Sequence, residues 1–268
     1  MKKIIVLFTV LILAAGFVAA DGIGFTAGVE FGIDNVTKAN GGEMTPALTP
    51  MISYENSFVN GALDLYTELD YTIELVDETP MSLWFDLALG YNIKFGKYST
   101  LSLLIENENT MVIKPEVPDG FNRVTGTLSP GLKFNQELII GDLYAQIVMP
   151  IDYLQPVKDA DLGLGLNGTV GWASTFGLGL EFTAYNSIKP DAAYDSLEIC
   201  LNYTNDTIFA QLKAEIPREI SDSGITLTPE FSVSLSIFTI YANCGFGGIG
   251  VDGGDMTISP AVGLQISF

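Results

Sequence analysis

Residues 256–268 read Met256-Thr257-Ile258-Ser259-Pro260-Ala261-Val262-Gly263-Leu264-Gln265-Ile266-Ser267-Phe268. The even positions are apolar: Met256, Ile258, Pro260, Val262, Leu264, Ile266 and Phe268. The odd positions are small or polar: Thr257, Ser259, Ala261, Gly263, Gln265 and Ser267. Successive side chains of a strand point to opposite faces, so the stretch predicts a strand with one oily face and one small, polar face.

The same period recurs upstream. Between Val59 and Leu75 the odd positions carry Val59, Gly61, Leu63, Leu65, Thr67, Leu69, Tyr71, Ile73 and Leu75. The even positions carry Asn60, Ala62, Asp64, Tyr66, Glu68, Asp70, Thr72 and Glu74. Residues 82–95 repeat the pattern, with Leu83, Phe85, Leu87, Leu89, Tyr91, Ile93 and Phe95 set against Ser82, Trp84, Asp86, Ala88, Gly90, Asn92 and Lys94. Alternation of this kind predicts strands at 23–33, 46–54, 59–73, 82–95, 99–107, 125–135, 142–151, 162–172, 176–186, 195–203, 207–216, 225–234, 237–245 and 256–268. No stretch after residue 20 keeps a helical period. Short connections (55–58, 96–98, 173–175, 204–206, 235–236) alternate with long ones (34–45, 108–124, 152–161, 246–255).

The chain begins with Lys2 and Lys3, an apolar run from Ile4 to Phe17, and Val18-Ala19-Ala20. That is the layout of a secretory signal over 1–20, leaving 21–268 as one domain. The apolar run is short for a retained membrane helix. The whole chain has 12 basic and 32 acidic residues, a net charge of −20, yet is 48% hydrophobic. Loss of Lys2 and Lys3 makes the remainder more acidic still. Such a charge repels nucleic acid, while the apolar content argues against disorder. A barrel with a lipid face and a wet lumen houses both properties. Alternation by itself also fits a secreted β-sandwich, whose apolar faces pack together.

Histidine is absent. This removes Ser-His catalysis and His-ligated metal or haem, and no phosphate-binding glycine loop precedes a helix. The expectation is a protein that is not an enzyme, with no cofactor and no metal. Cys200 and Cys244 fall on opposite faces by parity, which disfavours a disulfide. The acidic loops at Asp159-Ala160-Asp161 and Asp252-Gly253-Gly254-Asp255 match calcium loops only weakly and are read as solvated turns.

The 256–268 strand, ending on Phe268, resembles the closing strand of bacterial outer-membrane β-barrels. With the signal segment and the serial alternation, the chain resembles porin-like outer-membrane proteins as a class. That resemblance implies an all-β, transmembrane, antiparallel up-and-down barrel of about fourteen strands, twelve being the even alternative. It also implies both chain ends on the periplasmic side. Val262, Leu264, Ile266 and Phe268 would then serve as the assembly signal read by the barrel-assembly machinery. Outer-membrane lipid and small solutes are the other implied partners.

Under this reading the polar faces line the lumen. The inward acids are Glu30, Asp64, Glu68, Asp70, Asp86, Glu106, Asp142, Glu181, Glu198, Glu215 and Glu230, and the inward bases are Lys94, Lys133 and Lys213. An acid-rich tube favours cations, so the expected function is passive diffusion of small cationic or neutral solutes. Asp86 is expected near the level of Asp70. Inward glycines such as Gly28, Gly163, Gly171, Gly179 and Gly263 leave room for solute or an inward loop. Tyr66, Trp84, Tyr144, Tyr185 and Tyr241 also face inward. Two rivals stand beside the pore: a surface adhesin or structural barrel with a closed lumen, and a fatty-acid-transporter-like barrel for apolar solutes. Last, Leu48-Thr49-Pro50 recurs as Leu128-Ser129-Pro130, Leu227-Thr228-Pro229 and Ile258-Ser259-Pro260. Proline removes a ladder donor, so like positions suggest a shared bulge or strand-end role.

Overall fold

The computed structural model describes residues 24–34, 45–59, 61–74, 81–113, 123–155, 163–189, 192–251 and 256–267. Its strands are β1 (Gly24–Asp34), β2 (Thr45–Phe58), β3 (Leu63–Glu74), β4 (Met81–Phe95), β5 (Ser99–Ile113), β6 (Arg123–Leu138), β7 (Gly141–Val148) and β8 (Ile151–Gln155). They continue as β9 (Gly163–Gly165), β10 (Asn167–Ser174), β11 (Leu178–Lys189), β12 (Ala193–Thr204), β13 (Ile208–Pro217), β14 (Ile225–Leu235), β15 (Phe238–Ile249) and β16 (Thr257–Ser267). One helical turn, α1 (Ile220–Ser223), precedes β14. The expected signal segment, Phe268 and the two acidic loops lie outside the described residues.

Neighbouring strands pair antiparallel all the way round, and β1 closes on β16 through Ala27↔Ile266 and Val29↔Leu264. Closure leaves no sheet edge unpaired. β7 and β8 both lie against β6, so they are one barrel strand interrupted at Met149-Pro150. β9 and β10 both lie against β11, with the interruption at Leu166. The result is a closed antiparallel barrel of fourteen strands. Two strands read from the sequence as continuous, 142–151 and 162–172, are therefore broken in the fold.

The recurring prolines account for part of this irregularity. Pro50, Pro130, Pro229 and Pro260 each pair with the preceding strand, opposite Val29, Ile105, Leu212 and Cys244. On the other side the ladder lapses. Thr49 and Pro50 have no ladder partner on β3, Ser129 and Pro130 none on β7 or β8, and Thr228 and Pro229 none on β15. Pairing of β16 with β1 stops at Ala261. The missing proline donor thus falls each time on the side of the next strand, where its absence leaves no orphaned carbonyl in a regular rung.

The faces divide by chemistry. Along β7, Leu143, Ala145 and Ile147 are exposed outward, while Asp142, Tyr144, Gln146 and Val148 point in and are half-buried. Outward positions of β4 run Leu83, Phe85, Leu87, Leu89, Tyr91, Ile93 and Phe95; those of β16 include Val262, Leu264 and Ile266. Near the short turns, Phe58, Tyr91, Phe95, Tyr98, Phe134, Phe176, Tyr203 and Phe238 stand exposed in a ring. An apolar band bordered by aromatics is the surface that hydrocarbon and headgroups require. One cluster of polar groups that faces out is paired: the Tyr153 hydroxyl donates to Asn107 Oδ1 at 2.9 Å and also to Asn109 Oδ1.

Among the described residues no large side chain is fully buried, and the buried apolar ones are Ala27, Ile73, Cys200 and Tyr241. The described residues therefore leave the interior without a packed core. Fourteen strands about 4.8 Å apart and tilted about 40° close a cylinder about 28 Å across its backbone. Cys200 points inward and is buried, Cys244 faces outward opposite Pro260, and both are free thiols. Among the described residues no helix is long and apolar enough to cross a membrane.

Candidate functional site: the lumen wall

The pairing register turns the inward residues into rows that run around the wall. Ser53 on β2 faces Glu68 on β3, Glu68 faces Asp86 on β4, and Asp86 faces Glu108 on β5. Glu108 faces Thr127 on β6, which faces Asp152 on β8 and donates to its Oδ1 at 2.7 Å. One row away, Asp70 pairs with Trp84 and Glu106 with Ala88. Asp86 is thus level with Glu68 and one rung from Asp70, a correction to the expected Asp70–Asp86 level.

Three acids of this wall escape the strand boundaries read from the sequence. Glu55, Glu108 and Asp152 each sat at the edge of an expected connection. The strands run further, and all three face inward, with Glu55 paired to Gly24 and Tyr66. Strict parity carried past the turn residues would have found them.

Asp64 is well supported near the short-turn end. Ser57 Oγ donates to its Oδ1 at 2.6 Å and Asn92 Nδ2 to its Oδ2 at 2.6 Å, while Ser102 Oγ donates to Asn92 Oδ1 at 2.6 Å. The Tyr66 hydroxyl donates to Glu68 Oε2. Asp70 Oδ1 and Asp86 Oδ1, by contrast, are buried without a hydrogen-bond partner.

The other side of the lumen is compensated. Lys213 Nζ lies 2.9 Å from Glu198 Oε2, the one ion pair among the described residues. Glu198 also accepts from the Tyr185 hydroxyl at 3.4 Å, and Ser196 Oγ donates to Glu215 Oε1 at 3.1 Å. The Tyr144 hydroxyl donates to Glu181 Oε2, and Lys133 Nζ sits 4.6 Å from the centroid of the same ring. Glu230 lies between Gln211 and Asn243, and Glu30 between Thr49 and Gly263. Lys94 pairs with Thr100 beside the 96–98 turn, at the rim. It stands eight residues from Asp86 on the same strand, about 26 Å by strand rise. The structure brings Glu68, Asp86 and Glu106 together with Glu108; it does not bring an inward lysine to them.

Five of the inward glycines do not stand open. A Cβ on Gly171 would meet the Tyr144 ring at 2.2 Å, and one on Gly263 would meet the Tyr241 ring at 2.1 Å. Gly28 lies under Gln265 and Met51, Gly179 under the Asn202 amide and Gly163 under Asp152. Each glycine seats a side chain from the neighbouring strand, as aromatic cover of strand glycines does elsewhere. The space expected for solute at these positions is filled.

No family model matches the chain, and no curated protein matches it. Among solved structures, CdiB from Acinetobacter baumannii is similar with a TM-score of 0.54 and 9% identity, over 93% of this chain and 60% of that one. Mutants of the Rhodobacter blastica porin align over 92% of this chain and 100% of theirs at 9% identity, with a TM-score of 0.47. The chain spans three fifths of the CdiB structure it resembles. The likeness is one of fold: this chain closes into an antiparallel β-barrel of fourteen strands.

Proposed function

We propose that the chain is a passive, cation-preferring pore of the bacterial outer membrane, exported after cleavage near Ala20. It conducts small cationic or neutral solutes and carries out no catalysis. The observation that carries this reading is the uncompensated row Glu68–Asp86–Glu108 on the wall of a barrel whose interior is not packed. In a low-dielectric tube such a row concentrates cations and repels anions. The outward apolar band supports lipid as its surroundings. Val262, Leu264 and Ile266 lie on that band, where an assembly factor would read them.

The test is single-channel recording in planar bilayers under a salt gradient. Discrete openings with a cation-selective reversal potential are expected. Glu68→Gln/Asp70→Asn/Asp86→Asn should move that potential toward zero. An unmoved potential refutes the acidic-wall mechanism, and silence over many insertions refutes the pore.

A further inference from the structure

We propose that Asp86, Glu106 and Glu108 form a binding site for a divalent, oxygen-seeking cation, best fitted by Ca²⁺, on the lumen wall between β4 and β5. One carboxylate oxygen from each residue lies within 4.8 Å of the others. Three oxygens no more than 4.8 Å apart all lie within about 2.8 Å of a common point, so small side-chain adjustments bring an ion at that point to the Ca²⁺–oxygen distance of about 2.3–2.6 Å. Mg²⁺, whose oxygens lie at about 2.0–2.1 Å in a near-ideal octahedron, demands a larger adjustment and a more regular geometry.

The independent observation is Asp86 itself. The residue is 4% exposed, and its Oδ1 is buried with no hydrogen-bond partner. Burying a carboxylate without a partner is costly unless a cation or proton compensates it. Two more carboxylates placed beside it add like-charge repulsion, because Glu108 is its direct cross-strand partner and Glu106 the partner of its neighbour Ala88. Among the described residues no cation relieves the cluster. The nearest inward lysine on the following strand, Lys133, lies four residues below Ser129, the partner of Glu106, and is spent on the Tyr144 ring. A divalent ion held by the three carboxylates compensates the buried Asp86 carboxylate and neutralises most of the charge in one step.

The ion has a way in. Glu108 is exposed to the lumen and borders a recess of ≈ 380 Å³ that Trp84, Thr127 and Asp152 also line. That recess has room for the waters that complete a Ca²⁺ shell. The site rests on the inward-facing acidic wall described above, but not on the pore being open.

Trp84 makes the test specific. The chain has two tryptophans. Trp84 faces inward two residues from Asp86, whereas Trp172 faces outward, beside Phe176. Tb³⁺ added to the full chain folded in detergent should give saturable emission when tryptophan is excited, and Ca²⁺ should displace it. Trp84→Phe should abolish that emission while leaving Ca²⁺ binding, read by calorimetry, intact. Asp86→Asn/Glu106→Gln/Glu108→Gln should weaken Ca²⁺ binding by about tenfold or more, with the folded state checked by heat-modifiable gel mobility. Emission that persists in the folded triple variant, or a folded parent chain that sensitises no Tb³⁺, overturns the site. A pore lacking the site still conducts, and a sealed barrel bearing it still binds Tb³⁺, so the two proposals fail separately.

Discussion

Glu68 on β3 and Asp86 on β4 are direct cross-strand partners, both aimed into the lumen, and Asp86 meets a third carboxylate, Glu108, on its other side. Like charges placed directly opposite destabilise a sheet. The wall therefore holds a strained electrostatic arrangement that uncharged substitution relieves. In metal-free buffer, Asp86→Asn is expected to stabilise the folded barrel by up to about 1 kcal/mol, read as a raised urea midpoint. A lowered midpoint in chelator would contradict this account of the row.

The two faces of β4 predict opposite tolerances. Leu89 points outward, near the middle of the strand, and its neighbour Ala88 points inward. Leu89→Arg should destabilise the barrel in liposomes by about 2–4 kcal/mol, the cost of a cation at the bilayer midplane. Ala88→Arg should cost far less, because it meets water and carboxylates. Equal costs in equilibrium unfolding would mean that the faces are assigned wrongly.

Tyr241 and Gly263 form a fitted pair: a Cβ on the glycine would lie 2.1 Å from the ring. Gly263→Ala should destabilise by about 1–3 kcal/mol, the usual cost of overpacking. The same change in a Tyr241→Ala background should cost much less, since the ring is gone. A double-mutant cycle measures this coupling, and strict additivity would show that the ring does not rest on the glycine.

Lys213 compensates Glu198, whose side chain is 12% exposed against 45% for the lysine. Lys213→Gln should leave Glu198 without its cation, destabilise the barrel by about 1–3 kcal/mol and increase cation preference. Bilayer reversal potentials alongside urea titrations check both effects. A shift toward anions would be incompatible with an electrostatic filter.

The barrel was legible in the sequence because strand alternation has a period of two and a barrel in lipid uses both faces. Leu63, Leu65 and Leu69 could only be the outer set if Asp64, Glu68 and Asp70 were the inner one. Strand number followed from counting such segments. The ends were less legible. Glu55, Glu108 and Asp152 sit where alternation gives way to turn-like composition, and only a partner strand holds those residues extended. The break at Met149-Pro150 is likewise invisible without β6 beside it.

Which residues face in was therefore set by local chemistry, since each side chain's preference for oil or water acts at its own position. Which of them meet was set by register, a long-range property in which the pairing of each strand depends on its neighbours. Parity assigned Asp86, Glu106 and Glu108 to the inner face or left them at its margin. It took the β4–β5 ladder to put their oxygens within 4.8 Å of one another, and the tyrosine rings to fill the space above Gly171 and Gly263.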